Sequence, residues 1–239
     1  MYTIFQLLLG TLLSVSALCA WGLDRIVLGS TASPIANASS KVLKEAYSRL
    51  GIQIQIKELP AERSLIFSNQ GLIDGEVNRI KGLEMRYPNL VRVPVAINHF
   101  EAVLVAQDPA PKVSGLQSLK NYRIGIRNGI KYAEDLTRGM NVKRSVSNMQ
   151  LFNILELRQV DLIIIGRSAV QKYLRAHPHS QMKVIEPPLL SQQLYHYLNR
   201  KHEDLLEAIT AELRRMRQGE EIARIREATL GPQPSGSSG

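Results

Sequence analysis

An α/β fold of two successive units, each a mostly parallel sheet with flanking helices, is predicted by three features of this 239-residue sequence. Short apolar runs alternate with amphipathic helical stretches over residues 25–97. A loop rich in Pro, Asp and Gly at 107–115 interrupts the pattern, which then restarts. Residues 160–165 form a continuous apolar run, as in a strand buried on both faces. A chain of this length holds one or two domains and buries a full core without disulfides or metal.

The first strand is 25–29. Ser39 or Ser40 caps a helix that puts Val42, Leu43, Ala46, Tyr47 and Leu50 on one face and stops at Gly51. Ile52, Ile54 and Ile56 alternate with polar residues, a strand pattern. Pro60 opens a helix that runs to Gly71. The third strand is 72–77, a polar helix runs on to Tyr87, and 90–97 is strand again. In the second unit, 122–127 is a strand ending at Asn128-Gly129, followed by a helix over 131–138 and a strand over 142–146. Ser147 caps the helix 149–159, the buried strand 160–165 follows, and 167–176 is helical. Pro187-Pro188 breaks the chain, 194–198 is a strand, and helices over 202–218 and 220–229 complete the fold.

Composition bounds the class. With 44% hydrophobic and 21% charged residues, the chain is neither collagen-like, disordered nor a disulfide scaffold. The lone cysteine, Cys19, excludes an internal disulfide and a cysteine-rich zinc site. The net charge of +9 admits nucleic acid, anionic lipid or anionic solutes as partners. Residues 1–23 carry no charged side chain and are mostly apolar, so 1–20 reads as a secretory signal peptide, with an uncleaved membrane anchor as the alternative. A secreted protein is placed in the periplasm, where nucleic acid is not a partner. Residues 231–239 contain only Gly, Pro, Gln and Ser and read as a flexible tail.

Four stretches carry a family resemblance: GLIDGE at 71–76, YPNLVRV at 87–93, SLKNYRIGIRNG at 118–129 and VDLIII at 160–165. In their order and spacing the chain resembles the type II periplasmic solute-binding proteins, the extracellular family 3 proteins that serve polar amino-acid ABC transporters. The resemblance implies two α/β lobes joined by two hinge strands, with a solute held between them. It puts lobe 1 at 24–101 plus 193–230, lobe 2 at 102–192, and the hinges near 99–103 and 192–195. It also implies a monomer that meets an inner-membrane permease or sensor.

The resemblance further implies site residues. Counting from Asp74, the family's carboxylate-binding arginine falls on Arg86 and a hydroxyl contact on Arg79. Arg63 starts the preceding helix, whose end faces the cleft in that fold. Guanidinium suits a carboxylate because its planar donors match two oxygens. The 30–33 loop supplies Thr31 and Ser33 as small hydroxyls. In the second lobe, the Gly129 loop opens a helix whose N–H groups accept an anion, with Lys131 beside it. The aspartate that holds a ligand ammonium in the family is Gly166 here, which favours an anionic solute over an α-amino acid. No cofactor is expected, since neither a P-loop nor a dinucleotide fingerprint is present. A non-enzymatic receptor is the leading function. The alternatives are a dehydratase-like enzyme on the same fold, using Glu76 as its acid, or an accessory protein without ligand. Glu76 reads equally as the ion-pair partner of Arg79.

Overall fold

The computed structural model describes residues 25–231; the expected signal peptide at 1–20 and the tail from 232 onward lie outside the described residues. Eight strands form one sheet in the order β2-β1-β3-β8-β4-β7-β5-β6. The strands are β1 (Arg25–Ser30), β2 (Gln53–Glu58), β3 (Gly75–Arg79), β4 (Leu90–Gln107), β5 (Ile124–Arg127), β6 (Val142–Ser145), β7 (Leu162–Gly166) and β8 (Met182–Asn199). β1 pairs in parallel with β2 and β3, and β5 pairs in parallel with β6 and β7. These are the two expected parallel groups.

β4 and β8 link the groups. Each is 18 residues long, and they pair antiparallel from Leu90↔Asn199 to Gln107↔Met182. The apolar strand pattern of the first of these ends at Ile97, but pairing carries the strand across both groups. β8 likewise passes through Pro187-Pro188, where the reading expected a break. The ladder shifts register between Ala102 and Leu104, opposite the prolines, so their missing N–H groups leave no bond unmade. The segments expected as hinges, 99–103 and 192–195, lie mid-strand in this pair.

The helices are α1 (Pro34–Arg49), α2 (Ala61–Asn69), α3 (Lys131–Leu136), α4 (Asn148–Glu156), α5 (Arg167–Ala176), α6 (Leu206–Gln218) and α7 (Glu221–Leu230). α1 starts earlier than expected. Ser33 caps it, its side chain accepting from the Ala36 N–H at 3.1 Å, and Pro34 takes the first turn, where a missing N–H is harmless. Ser39 and Ser40 are therefore buried inside the helix, and the Ser39 hydroxyl bonds back to the Ile35 carbonyl. The polar helix expected before Tyr87 is a single 3-10 turn, Leu83–Met85. It has no buried residue, so no apolar stripe holds a longer helix to the sheet.

The core follows the two groups. α1, α6 and α7 cover the first, packing Val42, Leu43, Tyr47, Leu213 and Met216 against Ile26, Leu28, Val95 and Ile97. In the second, α4 and α5 pack Leu151, Phe152, Val170 and Tyr173 against Val103, Ile163 and Ile165 on one face. Ala102, Leu104, Ile124, Ile126, Leu162 and Ile164 pack on the other. β7 is thus buried on both faces, as its apolar run requires. Each fully buried Leu, Ile or Val side chain contributes about 1.5–3 kcal/mol of transfer free energy.

Candidate functional site

In sheets of parallel strands, backbone and loops converge at the carboxyl ends, where ligands bind in this class of fold. Here the carboxyl ends of both groups open onto one cavity of about 320 Å³. Ser33 follows β1, Asn78 lies near the end of β3, Arg127 ends β5, Asn148 follows β6 and Gly166 ends β7; all line it. Phe100 on β4 and Leu194 on β8 complete the wall from the two long strands. Asn78 sits where the β3–β8 register shifts, between Glu76 and Arg79. Such bulges re-aim side chains toward sites.

The chemistry of the lining is lopsided. Among the described residues it contains no Asp or Glu. Arg127, half-buried, has no hydrogen bond or ion pair for its guanidinium among the described residues. The side chains of Asn78, Asn148 and Tyr132 also make no hydrogen bond among the described residues. Burial pushes the Tyr132 phenol up to about 12, against the opposing pull of the Arg127 charge, so the hydroxyl keeps its proton and remains a donor. A cation and several unmet polar groups in a cavity without a carboxylate suit an anionic guest.

Among the eight expected site residues, Ser33 and Gly166 line this cavity. Arg79 is turned to Glu76, its Nε and Nη2 donating to Glu76 Oε2 at 2.8 and 2.6 Å. Arg86 is exposed and donates to Glu62 at 3.0 Å. Arg63 is exposed on the first turn of α2. Thr31 is half-buried beside the cavity's first loop but does not line it. Gly129, in the left-handed region at φ +76, gives its N–H to Glu134 Oε1 at 3.0 Å. That carboxylate also takes Lys131 at 3.2 Å and Arg144 at 3.2 Å. The loop N–H that the sequence offered to a ligand anion therefore already has an internal anion.

Glu76 is fully buried. Its Oε1 accepts from the Ser64 hydroxyl at 2.7 Å and from Ser68, and its Oε2 accepts the Arg79 fork. Beside it, His196 is also fully buried; its Nδ1 lies 2.7 Å from the Glu76 carbonyl and its Nε2 2.8 Å from the Tyr47 hydroxyl. A carbonyl only accepts, so Nδ1 carries the proton and Nε2 accepts from Tyr47. Burial pushes this imidazole down to about 4, with the Glu76 carbonyl pulling the other way.

The residues that sequence reasoning missed are Arg127, Asn78, Asn148, Phe100 and Tyr132. The available signal was position: Arg127 and Asn78 stand at or near the carboxyl ends of parallel strands, and Asn148 opens the helix after one.

No family model matches the chain. An uncharacterized protein of Shewanella oneidensis is 25% identical over 188 residues, which are 74% of this chain and 70% of that protein. Several solved structures match nearly the whole fold. The GluR0 ligand-binding core in complex with L-glutamate superposes with a TM-score of 0.70 at 16% identity, over 89% of this chain and 100% of that one. An ancestral arginine-binding protein bound to glutamine gives 0.65 at 16% identity, over 87% and 99%. The substrate-binding protein of an amino acid ABC transporter gives 0.62 at 15% identity, over 87% and 100%. These likenesses show the two-lobed α/β fold of the type II solute-binding proteins.

Proposed function

We propose that the protein is a non-enzymatic periplasmic receptor that holds one small, anionic organic solute between its lobes and delivers it to an inner-membrane ABC transporter or sensor. The observation that carries this reading is the cavity between the two strand groups, lined from both and by Arg127 but by no carboxylate. The solved structures of the same fold include proteins that hold glutamate or glutamine. In this reading lobe 1 is 24–101 plus 193–230 and lobe 2 is 102–192; separate core clusters on the two sides support such a division, although Phe100 packs with the second. Ser33 and Gly166 form part of the wall and Arg127 holds the solute's charge. Arg79 braces Glu76, and Arg63, Arg86, Thr31, Gly129 and Lys131 lie outside the cavity lining. The signal at 1–20 directs export, and the receptor works as a monomer.

The geometry speaks against the enzyme reading. Glu76, the acid that reading needs, is sealed from solvent, and both its oxygens are engaged. A general acid must reach the proton it transfers.

Thermal unfolding against a library of small organic acids and amino acids tests the proposal. A receptor solute at a hundred times its Kd adds about 2.7 kcal/mol. For a chain of this size that raises Tm by roughly 5–10 °C, without turnover. Turnover of the added compound would show an enzyme. A silent library would favour an accessory role.

A further inference from the structure

We infer that the cleft selects a carboxylate carrying one aromatic ring and lacking an ammonium group, because Arg127 and the Phe100–Tyr132 ring pair line the same acid-free cavity. The inference rests on the receptor reading above and names its solute class.

The cation settles one end of the solute. Arg127 is the only lysine or arginine among the cavity's described lining residues, and no acid there neutralises it. Its planar donors fit a carboxylate at two points. The aromatic pair settles the other end. Phe100 comes from β4 and Tyr132 from α3, and their ring centroids lie 4.8 Å apart with planes tilted by 57°. A tilted pair leaves ring faces and edges that a third ring meets in the offset or edge-on geometries that aromatic groups favour. Ile130 and Leu194 extend the apolar surface.

Gly166 explains how the ring comes to lie there. A Cβ at this position would sit 3.1 Å from Phe100 Cε2, tighter than ordinary contact. The absence of a side chain at 166 is what lets the phenyl ring close over the strand end. The same absence removes a place from which an acid could meet a cationic group. A solute ammonium brought into this cavity loses its water and finds no carboxylate, a penalty larger than for a neutral polar group.

Size agrees. A volume of 320 Å³ is about ten water volumes at roughly 30 Å³ each, room for a solute of about ten heavy atoms. A single-ring acid has that size.

Calorimetry on the purified chain tests the inference with matched pairs. The probes are benzoate and 3-phenylpropanoate, acetate and succinate as acyclic acids, and L-phenylalanine, which differs from 3-phenylpropanoate by its ammonium. The ring acids should bind about tenfold or more tighter than the acyclic acids, and 3-phenylpropanoate about tenfold or more tighter than L-phenylalanine. Phe100→Leu, which keeps an apolar side chain but not the ring, should weaken the ring acids about fivefold and leave acyclic acids within twofold. Acyclic acids that bind as tightly as the ring acids would overturn this inference and leave the receptor reading standing. So would L-phenylalanine binding as tightly as 3-phenylpropanoate. If the ring acids fail to bind, the inference falls whatever else binds; if no small solute of any class binds, the receptor reading falls with it.

Discussion

Replacing Arg79 by Ala separates a structural arginine from a ligand-holding one. Arg79 is 13% exposed, and the Glu76 carboxylate it grips is 0% exposed. Taking the guanidinium away leaves a buried carboxylate with only the Ser64 and Ser68 hydroxyls for compensation. Breaking a buried pair on one side costs about 3–5 kcal/mol, and the slight exposure of Arg79 points to the lower end, about 3 kcal/mol. At about 2–4 °C per kcal/mol for a chain of this size, Tm should fall by roughly 6–12 °C. The assay is thermal and urea unfolding of the ligand-free protein. Arg79→Lys should recover part of the loss, because an ammonium keeps the charge but not the two-point contact. Combining Arg79→Ala with Glu76→Gln should recover more, since the amide keeps the serine partners without a charge. A single variant within about 2 °C of the unmodified protein would show that Arg79 does not hold the buried Glu76 carboxylate, as would a double variant no more stable than the single. An affinity loss without a stability loss would return Arg79 to the ligand.

Arg127→Ala should weaken binding of an anionic solute by about 2–5 kcal/mol in calorimetry and leave the unfolding midpoint nearly unchanged, since its guanidinium has no partner in the described protein. The exposed Arg224 is the control and should change affinity little. Gly75→Ala should destabilise by about 3 kcal/mol in urea unfolding, because its Cβ would stand 2.1 Å from the Tyr197 carbonyl oxygen, a backbone atom that cannot step aside. His196, pushed from 6.5 down to about 4 by burial, binds its proton less readily folded than unfolded. The His196 contribution to stability should therefore be flat above pH 6.5 and fall by about 3 kcal/mol as pH drops from 6.5 to 4. His196→Gln should flatten that slope.

Much of the fold was legible because burial imposes periodicity. The alternation at Ile52, Ile54 and Ile56 and the run at 160–165 read as strands because neighbouring side chains go to opposite faces or are buried on both. What the sequence hid was pairing. Nothing local in residues 98–107 distinguishes an extended connection from half of an 18-residue strand; the antiparallel partner at 182–193 decides it. Pro187-Pro188 reads as a break by local chemistry, and only the register shift opposite it accommodates it. The polar stretch before Tyr87 looked helical because propensity alone favours helix there, yet it has no apolar face to dock. The site was harder still. Arginines near GLIDGE at 71–76 stand out in the sequence, but arginine sites are decided by where the acids lie. Glu76 and Glu62 claim Arg79 and Arg86, and Glu134 claims the Gly129 N–H. Arg127 has no acid beside it among the described residues that line its cavity, a three-dimensional fact that its sequence neighbours Ile126 and Asn128 do not carry.

Closure of the lobes over a solute is measured by small-angle scattering of the purified protein with and without a saturating acid identified by calorimetry. A solute gripped by both strand groups favours the closed arrangement by its contacts to each. The radius of gyration should therefore fall on binding, and Arg127→Ala at the same acid concentration should reduce the fall. A bound acid that leaves the scattering unchanged would contradict a receptor that closes its lobes over the solute.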